Sequence, residues 1–326
     1  WRRSFIRDLL IQADTALTTP TGGALIRVKT VDGFDMENLW LRLAHDGIHV
    51  GAVDNTGINS VPKNVRMRNV DIDIATTGVG NVGLQIYPSG GVWFLASTAD
   101  GNPTGSIGMR VTPVGTISGS TDTYNIVDSI WVVDSNFNGH LTGVRLGQSG
   151  DVSNVFFSRT HVDGIGLGAT AAYAFHIETA GTAVVNNLQI SDLWVANYAS
   201  TIGYGLYVNG ATGAIRNAVC QGGYFTECRS AAVSVTGANL ASFTLTNSLV
   251  NGATLTSNNE IEIMGGTGVT IIGNRVSGPS NSGYAVVAAS GVANIVMVGN
   301  NGTGKTTGGT VMQGTTSATR VFSASR

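Results

Sequence analysis

The sequence predicts an all-β solenoid, a single-stranded parallel β-helix of about 10–11 coils, and three observations carry that prediction. The first is a six-residue frame: apolar, outward, Asn/Asp/Gly, filler, outward, apolar. Its clearest copy is ISDLWV at 190–195. The frame recurs as IRDLLI (6–11), MENLWL (36–41), MRNVDI (67–72) and VVDSNF (132–137). It continues as FSRTHV (157–162), CQGGYF (220–225), LTNSLV (245–250), IIGNRV (271–276) and, with a degraded last position, MVGNNG (297–302). Successive starts lie 30, 31, 65, 25, 33, 30, 25, 26 and 26 residues apart. The gap of 65 has room for two coils, so a disguised copy is expected near Val92–Ser97. A unit of this length cannot bury its apolar side alone and must stack on its neighbours.

The second observation is a short alternating strand after each frame. These strands are ALIRV (24–28), GIHVG (47–51), GLQIY (83–87), GMRVT (108–112), GVRLG (143–147) and AFHIE (174–178). The series goes on with GLYVN (205–209), AVSVT (232–236), EIEIM (260–264), AVVAA (285–289) and GTVMQ (309–313). Alternation with period two sends one set of side chains inward and the other outward. The third observation is composition. Gly supplies 45 of 326 residues, about twice the ordinary ~7%, as a chain that turns sharply several times per coil requires. Charged residues make up 12% and apolar ones 42%, so the low charge belongs to a patterned, packed chain and not to disorder. Helical patterning is nearly absent outside Trp1–Ala16.

In chain order, Trp1–Val28 reads as the first coil, with nothing in the sequence to cap its open end. Because the chain starts inside a coil, further sequence upstream of Trp1 is expected. Residues 34–50 and 64–87 are the next coils. Tyr87–Asn125 is irregular, with long loops around the strand at 108–112, and loops of that kind shape grooves on solenoids. The coils from Ser129 to Gln313 are regular, and Gly314–Arg326 loses the pattern. The reading is one solenoid domain over 1–313 and a C-terminal tail over 314–326.

Several functions are disfavoured. A net charge of −2 gives no global attraction to nucleic acid or to an anionic membrane. No apolar run reaches the ~18 residues of a membrane span. Cys220 and Cys228 are too few for a disulfide scaffold, and Cys220 stands at an inward frame position, which favours a buried free thiol. No metal-ligand cluster accompanies them, and no cofactor is expected. GNNGTGKT at 299–306 matches the phosphate-binding pattern G-x4-G-K-T, but TGGTVMQGTTS follows it and cannot form the required helix. Lys305 is read as a turn residue.

The coil pattern resembles the right-handed parallel β-helix proteins of the pectate lyase and polygalacturonase superfamily, and among these the bacteriophage tailspikes and capsule depolymerases. The resemblance runs over essentially the whole chain and rests on pattern and composition. In the polygalacturonases, strands of the form G-I-x-I line the cleft behind an Asp pair. HDGIHVG at 45–51 is similar, with His45-Asp46 at the place of that pair. Gly139-His140-Leu141 echoes their G-H-G element, and Arg27-Val28-Lys29 echoes their R-x-K in a different order. The catalytic set of those enzymes is therefore not carried over. The resemblance implies a right-handed coil, a homotrimer on a virion tail, and attachment to other tail or baseplate proteins through segments outside this chain. It also implies a bacterial surface polysaccharide as partner: capsule, exopolysaccharide or O-antigen. A secreted monomeric enzyme and a non-enzymatic adhesion solenoid are the alternatives.

The residues themselves supply candidate sites. The outward column of the second strand reads Arg27, His49, Gln85, Arg110, Arg145, His176, Tyr207, Ser234, Glu262 and Val287. With neighbouring coils ~4.8 Å apart, these form a ladder ~45 Å long, which suits an extended oligosaccharide. Arg145, Arg110, His49, Gln85 and Asp46 are its candidate binding residues, Arg gripping carboxylates through paired hydrogen bonds. Glu178, two residues beyond His176, joins Arg145, His176 and Tyr207 in one patch, and Asp163 lies in the preceding loop. A hydrolase would use Glu178 and Asp163 as its two carboxylates. A lyase would use His176 or Tyr207 as base and Arg145 to neutralise a uronate. A third reading is binding alone. The fifth frame position gives a second column, Trp40, Asp71, Asn136, His161, Trp194, Tyr224, Leu249 and Arg275, read as a contact between protomers or a sugar-stacking face. Asn, Asp or Gly at the third position is structural, its short side chain bonding turn backbone from coil to coil.

Overall fold

The third frame residue turns out to set the path of the chain. A computed structural model describes residues 4–13, 23–51, 61–74, 80–101, 105–113, 126–148, 150–164, 171–198, 202–251, 259–281, 283–290, 292–305 and 308–312. In every frame copy the third residue has a positive φ, from 47° at Ala96 and Arg159 to 67° at Gly222. That is the left-handed region, which Gly enters freely and Asn and Asp enter at least cost. The residue type follows from the backbone conformation. The side chains also form a ladder: Asn38 donates to Asp8 at 2.9 Å and Asn69 donates to Asn38 at 2.8 Å. These bonds run side chain to side chain, where the sequence suggested side chain to turn backbone. Ala96 and Arg159 are the exceptions in type, and Arg159 forks onto Asp134 through Nε at 2.5 Å and Nη2 at 2.9 Å.

The missing frame copy is Phe94–Ala99, two residues later than expected. Phe94 pairs with Met67 and Val132, and Thr98 pairs with Asp71 and Asn136.

A second left-handed corner lies three residues before the frame, at Gly33, Asn64, Gly91, Ser129, Asn154, Asn187, Asn217, Gly268 and Asn294. It too carries an amide ladder: Asn154 donates to Asp128 at 2.7 Å, and Asn187 to Asn154 at 3.0 Å. The sequence reading missed this corner. Its signal was present as a second Asn, Gly or Ser at fixed distance ahead of the apolar residue.

The corners divide each coil into strand segments that stack on the next coil in parallel. One sheet of 11 strands runs from Ala24–Val28 to Gly308–Met312, one strand per coil. A second sheet of 19 strands merges two ladders, because Asp32–Ala44 and Lys63–Ile74 pass unbroken through the corner between them. The winding is right-handed, the sense parallel crossovers take almost without exception. The fold is a right-handed parallel β-helix. The stretch with helical patterning, Trp1–Ala16, is a strand over Ser4–Gln12. The phosphate-loop match is also a strand, Asn301–Lys305, paired with Arg275–Asn281. The tail 314–326 lies outside the described residues.

Inward frame positions are buried as the pattern requires. From Met36 and Leu41 to Ile271 and Val276, the first and sixth positions are at most 3% exposed. The fourth position, read as filler, is a third inward column: Leu39, Val70, Ser97, Ser135, Leu193, Ser248, Asn274 and Asn300 are all buried. Its polar members bond the corner backbone. Ser97 Oγ accepts from Val70 N at 3.0 Å and donates to Leu95 O at 2.8 Å, and Asn300 Nδ2 donates to Ile271 O at 2.8 Å. A buried polar side chain is tolerated there because the turn leaves amides and carbonyls to be paired. Cys220 and Cys228 are buried free thiols, and burial raises both pKa values, that of Cys220 to about 12.

His140 lies wholly inside, as the echo of an enzyme G-H-G element would not. Its Nε2 donates to Ala99 O at 2.9 Å, and its Nδ1 accepts from Ser106 Oγ at 2.9 Å. Its ring fills the space a side chain at Gly101 would need. Burial lowers its pKa to about 4.

Two predictions follow from this packing. Ile190→Asp should lower the unfolding free energy by several kcal/mol, since it buries an unpaired carboxylate, while outward Ser191→Asp should change it by about 0.5 kcal/mol or less in urea titrations. Equal effects would place the inward and outward columns one residue out of register. His140 is neutral when folded and takes a proton near pH 6.5 when unfolded, so its contribution is intact above ~6.5 and is lost as pH falls toward 4. The loss from this one residue is about 3 kcal/mol, and a His140→Gln protein should lack that part of the slope.

Candidate functional site

The outward column of the eleven-stranded sheet is continuous in register. Arg27 pairs with His49, His49 with Gln85, Gln85 with Arg110, Arg110 with Arg145, and Arg145 with His176. His176 then pairs with Tyr207, Tyr207 with Ser234, Ser234 with Glu262, and Glu262 with Val287. Strand alternation holds the column out while Val144, Leu146, Phe175, Ile177, Leu206 and Val208 fill the core behind it. The stripe is more enclosed than a solvated face: His49, Gln85, His176 and Ser234 are buried, and Arg110, Arg145, Tyr207 and Glu262 are half-buried.

Its centre is a contact cluster. His176 Nε2 lies 3.3 Å from Glu178 Oε2, and Arg145 Nη2 lies 4.0 Å from the same oxygen. Asn209 Nδ2 donates to Glu178 Oε1 at 3.5 Å. On the other side of Glu178 the register partner is Gly147, in a left-handed conformation, where a Cβ would collide with the Glu178 carbonyl. Aromatic rings wall the cluster. Tyr173 stacks on His176 at 4.3 Å between centroids, and the Tyr207 ring meets His176 edge-on at 5.4 Å. Tyr204 stacks on Tyr173 at 5.6 Å. Tyr173, Tyr204 and Asn209 were missed by sequence reasoning. The tyrosines had a signal: each stands three residues before a column residue, His176 or Tyr207.

Electrostatics separate the roles of these groups. Burial, and then the Arg145 charge, push the His176 pKa down to about 4 against the opposing pull of Glu178. His176 is therefore neutral near pH 7, and its Nε2–H points at the carboxylate, leaving Nδ1 to accept. The Tyr207 hydroxyl is pushed up by burial and by Tyr173, Glu178 and Glu262, which keeps it protonated. Of the two bases considered from sequence, the imidazole is the one in its basic form. Burial also lowers Arg145, whose Nε is buried and without a hydrogen-bond partner among the described residues.

Asp163 is placed elsewhere. It ends a short strand, His161–Asp163, in the 19-stranded sheet, and is not in a loop. Its carboxylate accepts from Asn197 Nδ2 at 2.6 Å, and its strand pairs with Asn136–Asn138 and Trp194–Ala196. Thus the structure brings together Arg145, His176, Glu178 and Tyr207 but pairs Asp163 with a different ladder.

A second cluster occupies the other end of the stripe. Asp46, 8% exposed, accepts from His49 Nε2 at 2.8 Å, from His45 Nδ1 at 3.2 Å and from Val82 N at 3.0 Å. Burial alone would raise the Asp46 pKa, but the bonds from His49 and Val82 and the two imidazoles outweigh it and hold the carboxyl low. Arg110 Nε donates to Gln85 Oε1, joining the column side chain to side chain, and the Tyr87 ring abuts His49 at 5.6 Å. All five binding candidates therefore lie on or beside one stripe. Among the described residues no group of three His, Cys, Asp or Glu side chains is placed to hold a metal ion.

The fifth-position column is also continuous, from Trp40 through Asp71, Thr98, Asn136 and His161 to Trp194, Tyr224, Leu249 and Arg275. Trp40 is 56% exposed and Leu249 36%. A third aromatic run escaped the sequence reading: Trp93 stacks on Trp131 at 4.7 Å and Trp131 on Phe156 at 5.8 Å. Each of these residues immediately precedes the first frame position, so the signal was there.

No protein-family model matches the chain, and no curated protein matches its sequence. Two solved structures resemble it. One is the full-length tailspike protein 2 of Escherichia coli O157:H7 bacteriophage CAB120, with TM-score 0.46, 12% identity, and coverage of 86% of this chain and 38% of the tailspike. The other is PfbA, a surface adhesin of Streptococcus pneumoniae, with TM-score 0.44, 9% identity, and coverage of 92% and 83%. This chain thus spans 38% of the tailspike's length.

The electrostatic assignment is directly measurable. By nuclear magnetic resonance the His176 imidazole should titrate near pH 4, and Glu178→Gln should move it lower by removing a stabilising anion. An ordinary midpoint near 6.5 would mean the ring is solvated and unperturbed.

Proposed function

We propose that this chain binds an extended acidic polysaccharide of a bacterial surface along its eleven-stranded face and cleaves it by elimination. The observation that supports this most is the unbroken polar ladder with Glu178 beside both His176 and Arg145, and Tyr207 against the His176 ring, at its centre. A guanidinium, a neutral imidazole and a protonated phenol at one point are the groups an elimination needs. Arg145 receives the uronate carboxylate and neutralises it. His176, held by Glu178, takes the proton on the adjacent carbon through Nδ1. The electron pair forms a carbon–carbon double bond as the bond to the glycosidic oxygen breaks, and Tyr207 gives that oxygen its proton. Substrate binding itself tunes the base: a carboxylate on Arg145 cancels the charge that depresses His176 and raises its basicity.

Hydrolysis is less well supported. It needs two carboxyls about 5–9.5 Å apart across the scissile bond, and Asp163 belongs to another ladder. In this reading the chain is the host-contacting part of a phage tail appendage. It assembles as a homotrimer and is joined to other tail proteins through segments outside this sequence. A secreted enzyme using the same stripe is the second reading, and a monomer in sedimentation experiments would favour it.

The test uses purified chain with polyuronate and capsular preparations. Wild type should release products carrying an ultraviolet-absorbing double bond, and His176→Ala should cut the rate about 10²–10⁴-fold with binding preserved. Glu178→Gln should lower the rate while the polymer still binds, and Arg145→Ala should weaken binding of acidic polymers most. Activity should fall as pH drops through about 4, where His176 becomes protonated in the free protein. Saturated products would replace elimination by hydrolysis. Binding without cleavage would reduce the stripe to an adhesion surface.

A further inference from the structure

Away from the polar stripe, the second left-handed corner of the 19-stranded sheet carries glycine in place of an amide in the fourth coil, as it also does at Gly33 and Gly268. The second left-handed corner bears its amide ladder on both sides of the fourth coil: Asn64 donates to Asp32 at 2.8 Å, and Asn154 donates to Asp128 at 2.7 Å. Between them the coil supplies Gly90, which pairs in register with both Lys63 and Asp128, and beside it Gly91. Two side chains are therefore missing from the ladder, and a notch is left. The cavity there has a volume of about 650 Å³. That is within the ~300–1,000 Å³ of sites that take small organic ligands.

Its walls are of two kinds. Trp93 and Trp131, parallel within 3°, form an apolar wall of indole edges. The Trp93 ring lies over Gly91, where a Cβ would come within 2.8 Å of it, so the glycine is what lets the indole reach the notch. Asn64, Asp128, Ser129 and Asn154 also line it, their side chains joined to the corner's hydrogen bonds. Ser89, 2% exposed, lines the cavity as well, and its hydroxyl has no hydrogen-bond partner among the described residues.

A ligand for this notch must have one apolar flank and several hydroxyl groups. Lys63 and Asp128 supply one charge of each sign, which gives no net preference for an ion. The core of a protein interface is poor in such polar side chains, so a second copy fits the chemistry less well. We infer that the notch at Gly90–Gly91 is a separate carbohydrate site that takes a neutral pyranose residue of an oligosaccharide, on a different face from the polar stripe.

Gly90 offers a clean way to close it. A Cβ there has only Lys63 Cγ near it, at 3.8 Å, and Gly90 does not have the positive φ of Gly91. Gly90→Gln should fill the notch and leave the fold unchanged by circular dichroism and melting. The probes are an array of neutral gluco-, galacto-, manno- and N-acetylhexosamine oligosaccharides, followed by titration of each hit watched by tryptophan fluorescence. Wild type should bind at least one saturably, with Gly90→Gln weakening it by about tenfold or more. Trp131→Ala should weaken it too, while Arg145→Ala and His176→Ala should leave it intact. That last pair separates the notch from the stripe, since loss of polyuronate binding alone would indict only the stripe. The inference is overturned if no neutral oligosaccharide binds, or if Gly90→Gln binds like wild type. It is also overturned if Gly90→Gln dissolves an oligomer in sedimentation experiments, which would make this face a protomer contact.

Discussion

The constraint on which the structure depends is a backbone angle repeated at one place in every coil. A left-handed residue at the third frame position turns the chain sharply without ending its hydrogen bonding, and strands such as Lys63–Ile74 run straight through the bend. Because each coil bends at the same point, its neighbours can pair with it on all faces. The amide ladders of Asp8, Asn38 and Asn69 then tie bend to bend. Core burial does the bulk of the stabilising, but the bend decides which residues reach the core.

That repetition also explains how one contiguous polar surface forms from residues scattered through the sequence. Column residues are 22–36 positions apart along the chain, as Arg110 and Arg145 are, yet they stand side by side on the sheet. Closeness of this kind raises the electrostatic stakes. Arg145 pushes the His176 pKa down and Glu178 pulls it up, because both charges stand one coil or less away in a site partly withdrawn from water. Arg145 Nε in the stripe and Ser89 Oγ in the notch are among the buried polar atoms without a hydrogen-bond partner among the described residues.

The columns were legible in the sequence because strand alternation and the frame fix inward and outward without further information. Every pairing from Arg27 to Val287 followed from counting within strands. What was not legible came from outside that arithmetic. Asp163 lies eight residues ahead of the strand of His176, but it ends a short strand of its own in a different ladder, and no periodicity marks a strand of three residues. The fourth frame position looked neutral because its residues alternate between apolar and small polar types. Its burial is visible only once the bend supplies unpaired amides for Ser97 or Asn300 to satisfy. The disguised copy at Phe94–Ala99 was blurred by an Ala in the left-handed position.

Stacking also sets the scale on which the surface can change. The Asp46–His49 cluster and the His176–Glu178 cluster lie on the same column, four register steps apart. At ~4.8 Å a step, their separation is ~19 Å, and it can be altered only by whole coils. Side-chain replacement tunes what each point on the face recognises, whereas loss or duplication of a coil slides one cluster against the other by a fixed increment comparable to a sugar ring. The molecule behaves as a ruler with discrete graduations: the spacing between its side-chain clusters can shift in steps but cannot drift.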